Sequence, residues 1–562
     1  MSTLKGYVTN TLSNSTLFSP RSINFLLVFV LSLAAVKANW NIDRLVDING
    51  WDETEYLTIG VEMPRAGLPR AASETFFAPF YSLWYLALAQ VEPVPSRLIY
   101  LNYKIMAIIL PCSLYCILRR AGCRLLPATM AAFYLIVNDL SLNPDTRSIH
   151  FAMLFLALGI WGSLCTQGFL KQACVLGLSA VGASYVRPEY SLLVVTFGAV
   201  VISNCAVRRL LLTRDEWRTV ICSGLAVVGC VAVLGSPIFS GNNRSFGALC
   251  QGFSSNYHGV HPSGLNPWKD YSTIASGVFG PCESVSQALF NNPSMFLWHV
   301  SYNLAGFFKG LVPAIVHHRN FLLPEGHRME ILENAILVFT GAVFLAVNRK
   351  AVISRSMYVA KRYPLILLFV IGASAVSVLG VLLTLVQARY FFPIVFLGLF
   401  AAFLCIGCNE DDFPGTKSGL APAHVLVGCF LVLGATPASS FYEKRNTPLR
   451  SALAEIARFK FKDPTGYLEG LGDKRMRVYL DNSIQYINFN YRSKSENETF
   501  GDFLRLHNVG IVHVTSLLKH DRLFLDDPEW NEFVSDPEAF GFEIIPLPWN
   551  EALYVKKSAL AL

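Results

Sequence analysis

Trp51-Asp52-Glu53-Thr54-Glu55-Tyr56-Leu57 puts three carboxylates within four positions, just after the first long apolar segment of the chain. Its surroundings are poor in charge: 53% of the 562 residues are hydrophobic and 15% are charged. Soluble domains carry charge on about a quarter of their residues, so this composition implies a polytopic membrane protein with a modest soluble part. The net charge of +7 is not a nucleic-acid signature. The basic residues fall in short clusters between apolar runs, the pattern that orients helices in a bilayer.

Working outward, residues 22–37 are apolar and follow a polar, Ser/Thr-rich start. No small-residue cleavage site is convincing, so they read as a retained first helix with its N-terminus inside. Further segments of spanning length are expected at 98–118, 125–141, 149–165, 172–186, 190–207, 219–239, 330–348, 363–386, 391–408 and 421–438, about eleven in all with 22–38. Residues 295–316 are apolar but carry His299, Asn303 and Lys309, and read as an interfacial helix. Arg119-Arg120 with Arg124, Arg208-Arg209 with Arg214 and Arg218, and Arg349 through Arg362 all then fall inside. The loops 39–97 and 240–329, the tail 439–562 and the turns carrying Arg147, Arg187 and Arg389 fall outside. The fold expected is a polytopic α-helical membrane domain over 22–438, after a cytoplasmic segment 1–21, with an extracytoplasmic α/β domain over 439–562.

In that tail, 447–460 has helical spacing, while 476–480, 510–515 and 543–546 read as strands. Asn497-Glu498-Thr499 matches a glycosylation sequon, which implies exposure and little more. Of the 13 cysteines, eleven lie in or beside expected spans, where a thiol behaves as a small hydrophobe. Cys250 and Cys282 share a polar loop and would form a disulfide if that loop is extracytoplasmic. Cys405-Ile-Gly-Cys408 has redox spacing but ends an apolar helix, outside the βαβ context such a motif needs.

If 51–59 is an interfacial helix, Asp52 and Glu55 share a face with Tyr56 and Ile59. A carboxylate at a low-dielectric boundary can act as general base toward an acceptor hydroxyl or amine. The plainer alternative is a solvated acidic loop. Arg187 and Arg389 sit at expected membrane boundaries, where several converging arginines suit a phosphate group. Snorkelling of long basic side chains is the alternative, most of all for Arg147, and Arg187-Pro188-Glu189 would also serve as a helix-ending salt bridge. His258 and His261, with His299, His317, His318 and His327, supply no closed zinc set. Tyr257, Trp268, Tyr271 and Trp298 would anchor their loop at the interface before stacking on sugar.

Asp52 to Met63 resembles the Asp-Glu-x-x-Tyr-x-x-Ile-x-x-Glu-Met stretch of the GT-C membrane glycosyltransferases, in the branch with the lipid A aminoarabinose transferase and the protein O-mannosyltransferases. Phe76-Phe77-Ala78-Pro79-Phe80-Tyr81 resembles the aromatic-proline segment that follows it there. The family often has Lys-Pro-Pro where this chain has Ala78-Pro79-Phe80, so a lysine contact to substrate is not carried over. Asn143 to Arg147, Tyr185-Val186-Arg187-Pro188-Glu189 and Ala388-Arg389-Tyr390-Phe391-Phe392-Pro393 resemble later turns of the family, in order. The resemblance spans about residues 20–440.

It implies transfer of a sugar from a polyprenyl phosphate to an extracytoplasmic glycolipid, polysaccharide or protein. Asp52 would be the general base, and Glu53 would orient Asp52 or the acceptor. Arg147, Arg187, Glu189, Arg389 and Tyr390 would hold the phosphate, and Glu55, Tyr56, His258 and His261 would contact acceptor or loop. It further implies a bacterial inner membrane, with the site on the periplasmic face, and membrane lipids as partners. Related oligosaccharide-transferring enzymes use a divalent cation, but no metal is assumed here. Two readings from other classes stay open. A lipid or sugar transporter predicts ionisable groups at mid-membrane and repeated halves, and a scaffold predicts that Asp52 affects no sugar product. A polysaccharide polymerase or ligase with a diphosphate-linked donor is a further enzymatic alternative.

Overall fold

The computed structural model describes residues 20–40, 51–67, 79–142, 147–208, 212–237, 244–262, 265–268, 270–316, 349–408, 448–462, 464–469, 476, 479–480, 483–487, 498–519, 522–525 and 527–561. Nine expected spans are helical: Pro20–Ala38, Pro95–Arg120, Leu125–Val137, Ser148–Cys165, Phe169–Ser184, Ser191–Arg208, Arg214–Leu234, Pro364–Leu383 and Phe392–Gly407. The expected spans 330–348 and 421–438 lie outside the described residues. Among the described residues, six helices are long and apolar enough to cross a membrane.

Helix 95–120 shows how the sequence builds the bundle. Pro95 occupies its first turn, where a missing N–H costs nothing, and Arg119 and Arg120 sit at its negative C-terminal end. Leu98, Asn102, Met106, Leu110 and Leu114 recur every fourth residue on its buried face. The four apolar ones join one core with residues of helices 20–38, 125–137, 148–165, 169–184, 364–383 and 392–407. Helices 191–208 and 214–234 do the opposite: Val195, Ile202, Leu225 and Val228 are 55–70% exposed. So broad an apolar surface belongs against lipid, and the chain is an integral membrane protein.

The bundle has two chemically distinct ends. At one, Arg124 N–H donates to the Gly407 carbonyl (3.0 Å), Tyr363 OH to the Ala121 carbonyl (3.0 Å) and Arg355 Nη1 to the Ile406 carbonyl (2.7 Å). The Arg119–Arg124 and Arg349–Arg362 clusters therefore share that end, as one side of a bilayer requires of them. Residues 51–66, 79–89, 147–150, 185–190 and 384–391 pack at the opposite end.

The tail forms a five-stranded sheet in the order β2-β1-β3-β5-β4, with β1 (Thr465–Glu469), β2 (Ile484–Tyr486), β3 (Val509–Val514), β4 (Phe542–Leu547) and β5 (Glu551–Lys556). The first three strands are parallel; β5 runs antiparallel to β3 and β4. Strands β1 and β3 are buried along their whole length because helices cover both faces. Phe500, Phe503, Trp530 and Phe533 cover one face, and Ala452 and Ile456 the other. The expected helix and the strands at 510–515 and 543–546 are present. Of the strand expected at 476–480, the described residues Met476, Tyr479 and Leu480 lie in turns, because the Tyr479 and Leu480 N–H groups both donate to the Met476 carbonyl rather than to a neighbouring strand; Arg477 and Val478 lie outside the described residues. Thr499 of the sequon caps helix Phe500–Leu506, and Asn497 lies outside the described residues. Tyr479 joins the tail to the bundle, its hydroxyl 3.0 Å from that of Tyr100.

Five polar side chains line up inside this sheet. His513 Nε2 lies 3.0 Å from Glu551 Oε2, and its Nδ1 lies 2.9 Å from Tyr467 OH. Tyr467 and Tyr486 both donate to Glu469. Burial alone would lower the His513 pKa, yet Glu469 and Glu551 raise it from 6.5 to about 9. The contribution to stability is therefore present in full below about pH 6.5 and is lost as pH rises through about 9. Unfolding of the whole protein followed between pH 6 and 10 is expected to show a loss on the order of 3 kcal/mol. His513→Gln should flatten that profile, and an unchanged profile would disprove the assignment.

The loop between the two groups of spanning helices is itself helical, with Arg244–Val260, Tyr271–Phe279, Val285–Asn291 and Pro293–Val316. The disulfide expected there is not formed: Cys250 and Cys282 are free thiols. Both belong to one apolar cluster with Leu249, Phe253, Phe279 and Phe296. Packing, with Asn291 and Asn292 donating to the Phe279 and Val278 carbonyls, closes this loop without a crosslink.

Candidate active site

Helix Trp51–Ala66 lies against helix Pro79–Ala89 because Gly60 lets the two backbones meet. A Cβ there would fall 2.5 Å from the Ser82 carbonyl oxygen. This approach lays Glu53 against Tyr81 and Tyr85, one helical turn apart. Glu53 is 2% exposed. Its Oε1 accepts from Tyr81 OH, Tyr85 OH and Asn102 Nδ2, the last at 2.9 Å, and its Oε2 accepts from the Arg147 backbone N–H at 2.9 Å. Asn102 is in turn oriented by Trp84 Nε1, which donates to its Oδ1 at 2.7 Å. One carboxylate thus ties together helices 51–66, 79–89, 95–120 and 148–165.

Burial pushes the Glu53 carboxyl above its ordinary range, against Tyr81, Tyr85 and Arg147, which pull it down. Burial, with the Glu53 charge, also holds both phenols well above theirs, so they stay protonated as donors.

Arg147, at the N-cap of helix Ser148–Cys165, is equally enclosed at 2% exposure. Its guanidinium contacts His150 Nε2 at 2.7 Å, donates to the Ser141 carbonyl at 2.9 Å and lies 3.9 Å over the Tyr103 ring. It meets the Glu53 carboxylate through its backbone N–H.

The second half of the site comes from two turns. Arg187 follows helix Phe169–Ser184 and is held by Glu189 through Nε at 2.8 Å and Nη2 at 2.7 Å. Arg389 and Tyr390 lie in the helical turn Ala388–Phe391. The Tyr390 ring sits 5.3 Å from the Arg187 guanidinium and 5.5 Å from that of Arg389. The two arginines therefore converge on one aromatic side chain, with Glu189 paired to Arg187 beside them.

Tyr56 joins the halves. It is fully buried, packs edge-on against Tyr81 at 4.9 Å and lies within electrostatic reach of Arg187.

The structure thus brings together Glu53, Tyr56, Arg147, Arg187, Glu189, Arg389 and Tyr390 at one end of the bundle. Asp52 stands in the first turn of helix 51–66, one residue before Glu53, and its side chain lies outside the described residues. Glu55 is half-buried on that helix. His258 is half-buried on helix Arg244–Val260, and His261, exposed just beyond it, packs against Tyr257 at 4.7 Å. His317, His318 and His327 lie outside the described residues. Among the described residues, no three His, Cys, Asp or Glu side chains gather as a metal site would need. Tyr81, Tyr85 and Asn102 were not foreseen, although a lone Asn in an apolar spanning helix and a Tyr pair at i, i+4 are visible signals.

No family model matches the chain, and no curated protein matches it. Among solved structures the chain is similar to the crystal structure of ArnT from Cupriavidus metallidurans bound to undecaprenyl phosphate. The similarity covers 95% of this chain and 97% of that one, at 11% identity and a TM-score of 0.29.

Proposed function

We propose that this chain is an integral membrane glycosyltransferase of GT-C type, moving a sugar from a polyprenyl phosphate to an extracytoplasmic acceptor. The observation that carries the reading is the meeting of Arg187 and Arg389 on Tyr390, at the bundle end where Glu53 anchors the helix bearing Asp52. The order of sequence motifs shared with that family supports it independently.

In this reading Asp52 takes the proton from the acceptor hydroxyl or amine as that group attacks the anomeric carbon. The bond from that carbon to the phosphate oxygen breaks through an oxocarbenium-like transition state, and the configuration inverts. The polyprenyl phosphate leaves with the electron pair, and Arg187 and Arg389 offset the charge gathering on its oxygens. Glu53, enclosed by four donors, fixes the height of the helix rather than touching substrate. Arg147 secures the same joint through its backbone. The mechanism assigns no step to a metal ion.

Asp52→Asn is expected to reduce transfer about 10²–10⁴-fold, the usual worth of a general base, with unchanged thermal unfolding. Sugar release from a panel of labelled polyprenyl-phosphate sugars, with membrane extract as acceptor source, measures it. Full transfer by the variant would remove Asp52 from its role. Transfer only from a diphosphate-linked donor would replace the mechanism with that of a polymerase or ligase.

A further inference from the structure

Helix Pro364–Leu383 ends one short segment, residues 384–387, before the turn that carries Arg389 and Tyr390, and a helix end leaves its last carbonyls without intrahelical donors. Side chains of the extramembrane loop supply those donors. Asn303 Nδ2 donates to the Leu382 carbonyl at 3.0 Å and the Thr384 carbonyl at 3.2 Å, and His299 Nε2 lies 3.4 Å from the Leu383 carbonyl. Asn256, from helix Arg244–Val260, locks both: its Nδ2 lies 2.8 Å from Asn303 Oδ1 and 3.2 Å from His299 Nδ1. All three residues are buried, His299 and Asn303 at 0% and 1% exposure. Burial lowers the His299 pKa to about 4, so it serves as a neutral imidazole.

The same face of helix Pro293–Val316 continues along the turn. A Cβ on Gly306 would meet Val386 Cγ2 at 3.1 Å, and one on Gly310 would meet the Phe391 ring at 2.8 Å. Phe307 stacks on Phe391 at 5.4 Å. Positions 299, 303, 306, 307 and 310 follow helical spacing, so one stripe of the helix reads the chain from Leu382 to Phe391. The other face is exposed and apolar, with Phe308 and Val312 both 61% exposed.

We infer that Asn303, with His299 and Asn256, is a positioning residue that fixes the Arg389–Tyr390 turn for the phosphate of the lipid donor. The inference rests on the phosphate-binding reading of Arg187 and Arg389. Its reach is the hydrogen-bonded end of helix 364–383: were those carbonyls released, the turn would lose its register against Arg187 while the bundle kept its core.

The test is equilibrium binding of undecaprenyl phosphate, against neutral polyprenol, to the full-length protein in detergent. Asn303→Leu is expected to lower the preference for phosphate over alcohol about tenfold, the loss of about one buried hydrogen bond. Asn303→Gln should regain part of it, and Val312→Ala on the opposite face should behave as wild type. Thermal unfolding is expected to stay within a few degrees, and the preference is the readout because a merely structural role would weaken both ligands alike. Wild-type preference in Asn303→Leu, with preference lost in Arg389→Ala, would overturn the inference and leave the phosphate site standing. Wild-type preference in Arg389→Ala would overturn the phosphate site itself. Should Asn303→Leu fail to insert, Gly306→Leu, which crowds Val386 without touching the hydrogen bonds, is judged by the same criterion.

Discussion

Glu53→Ala is expected to destabilise the protein by about 3–5 kcal/mol, the usual cost of opening a buried charged network. Three donors lose their acceptor at once, the hydroxyls of Tyr81 and Tyr85 and the backbone N–H of Arg147, while the amide of Asn102 keeps only the two hydroxyl oxygens. None can turn to water, because Tyr81, Tyr85 and Asn102 are all 0% exposed. Each orphaned donor costs about 1–3 kcal/mol on its own, and the damage lies where four helices meet. Glu53→Gln keeps the shape and one acceptor oxygen but turns an NH2 toward the same donors, so about half that loss is expected. Thermal unfolding in detergent decides it, with Tyr85→Phe in a double-mutant cycle to show coupling. A Glu53→Ala protein as stable as wild type would mean that the carboxylate is not what holds the joint.

The second large effect belongs to the arginine pair. Arg187→Ala and Arg389→Ala together are expected to lower sugar transfer about 10³-fold, since preorganised donors aimed at developing charge are typically worth 10²–10³ each and act as a unit. Arg187→Ala also strands Glu189, whose charge would then face the incoming phosphate, so it should exceed Arg389→Ala in effect. Glu189→Gln with Arg187 intact should be mild by comparison. Initial rates against donor concentration separate the readings. A site for the leaving phosphate predicts loss in kcat as well as in KM, whereas a change in KM alone would reduce the pair to donor capture.

Much of the frame was legible from apolar run length. The runs near 98–118 and 149–165 became helices of close to the expected extent, because an uninterrupted apolar segment with a Pro or an N-cap at its start has few other choices. The gathering of Glu53, Arg187 and Arg389 at one end followed from counting helices in alternating direction. The burial of Glu53 in the joint between helices was not legible. Asp52 and Glu53 are adjacent, and only the approach at Gly60 decides that Glu53 points into the joint. Arg147 looked like a boundary arginine, yet its guanidinium is held by His150, Ser141 and Tyr103, contacts set by tertiary packing. The polar residues of 295–316 were visible at i, i+4 and suggested an interfacial helix. That they cap the end of another helix depends on a partner 79 residues downstream, which no local pattern encodes.

A lipid phosphate is expected to lie between Arg187 and Arg389. A polyprenyl phosphate with a photoreactive group beside its phosphate, activated on the wild-type protein and mapped by peptide mass, tests this directly. Label is expected on the peptides spanning 185–190 and 384–391, displaced by unlabelled polyprenyl phosphate but not by polyprenol. Label confined to the lipid-exposed faces of helices 191–208 and 214–234, or undiminished by competitor, would contradict it.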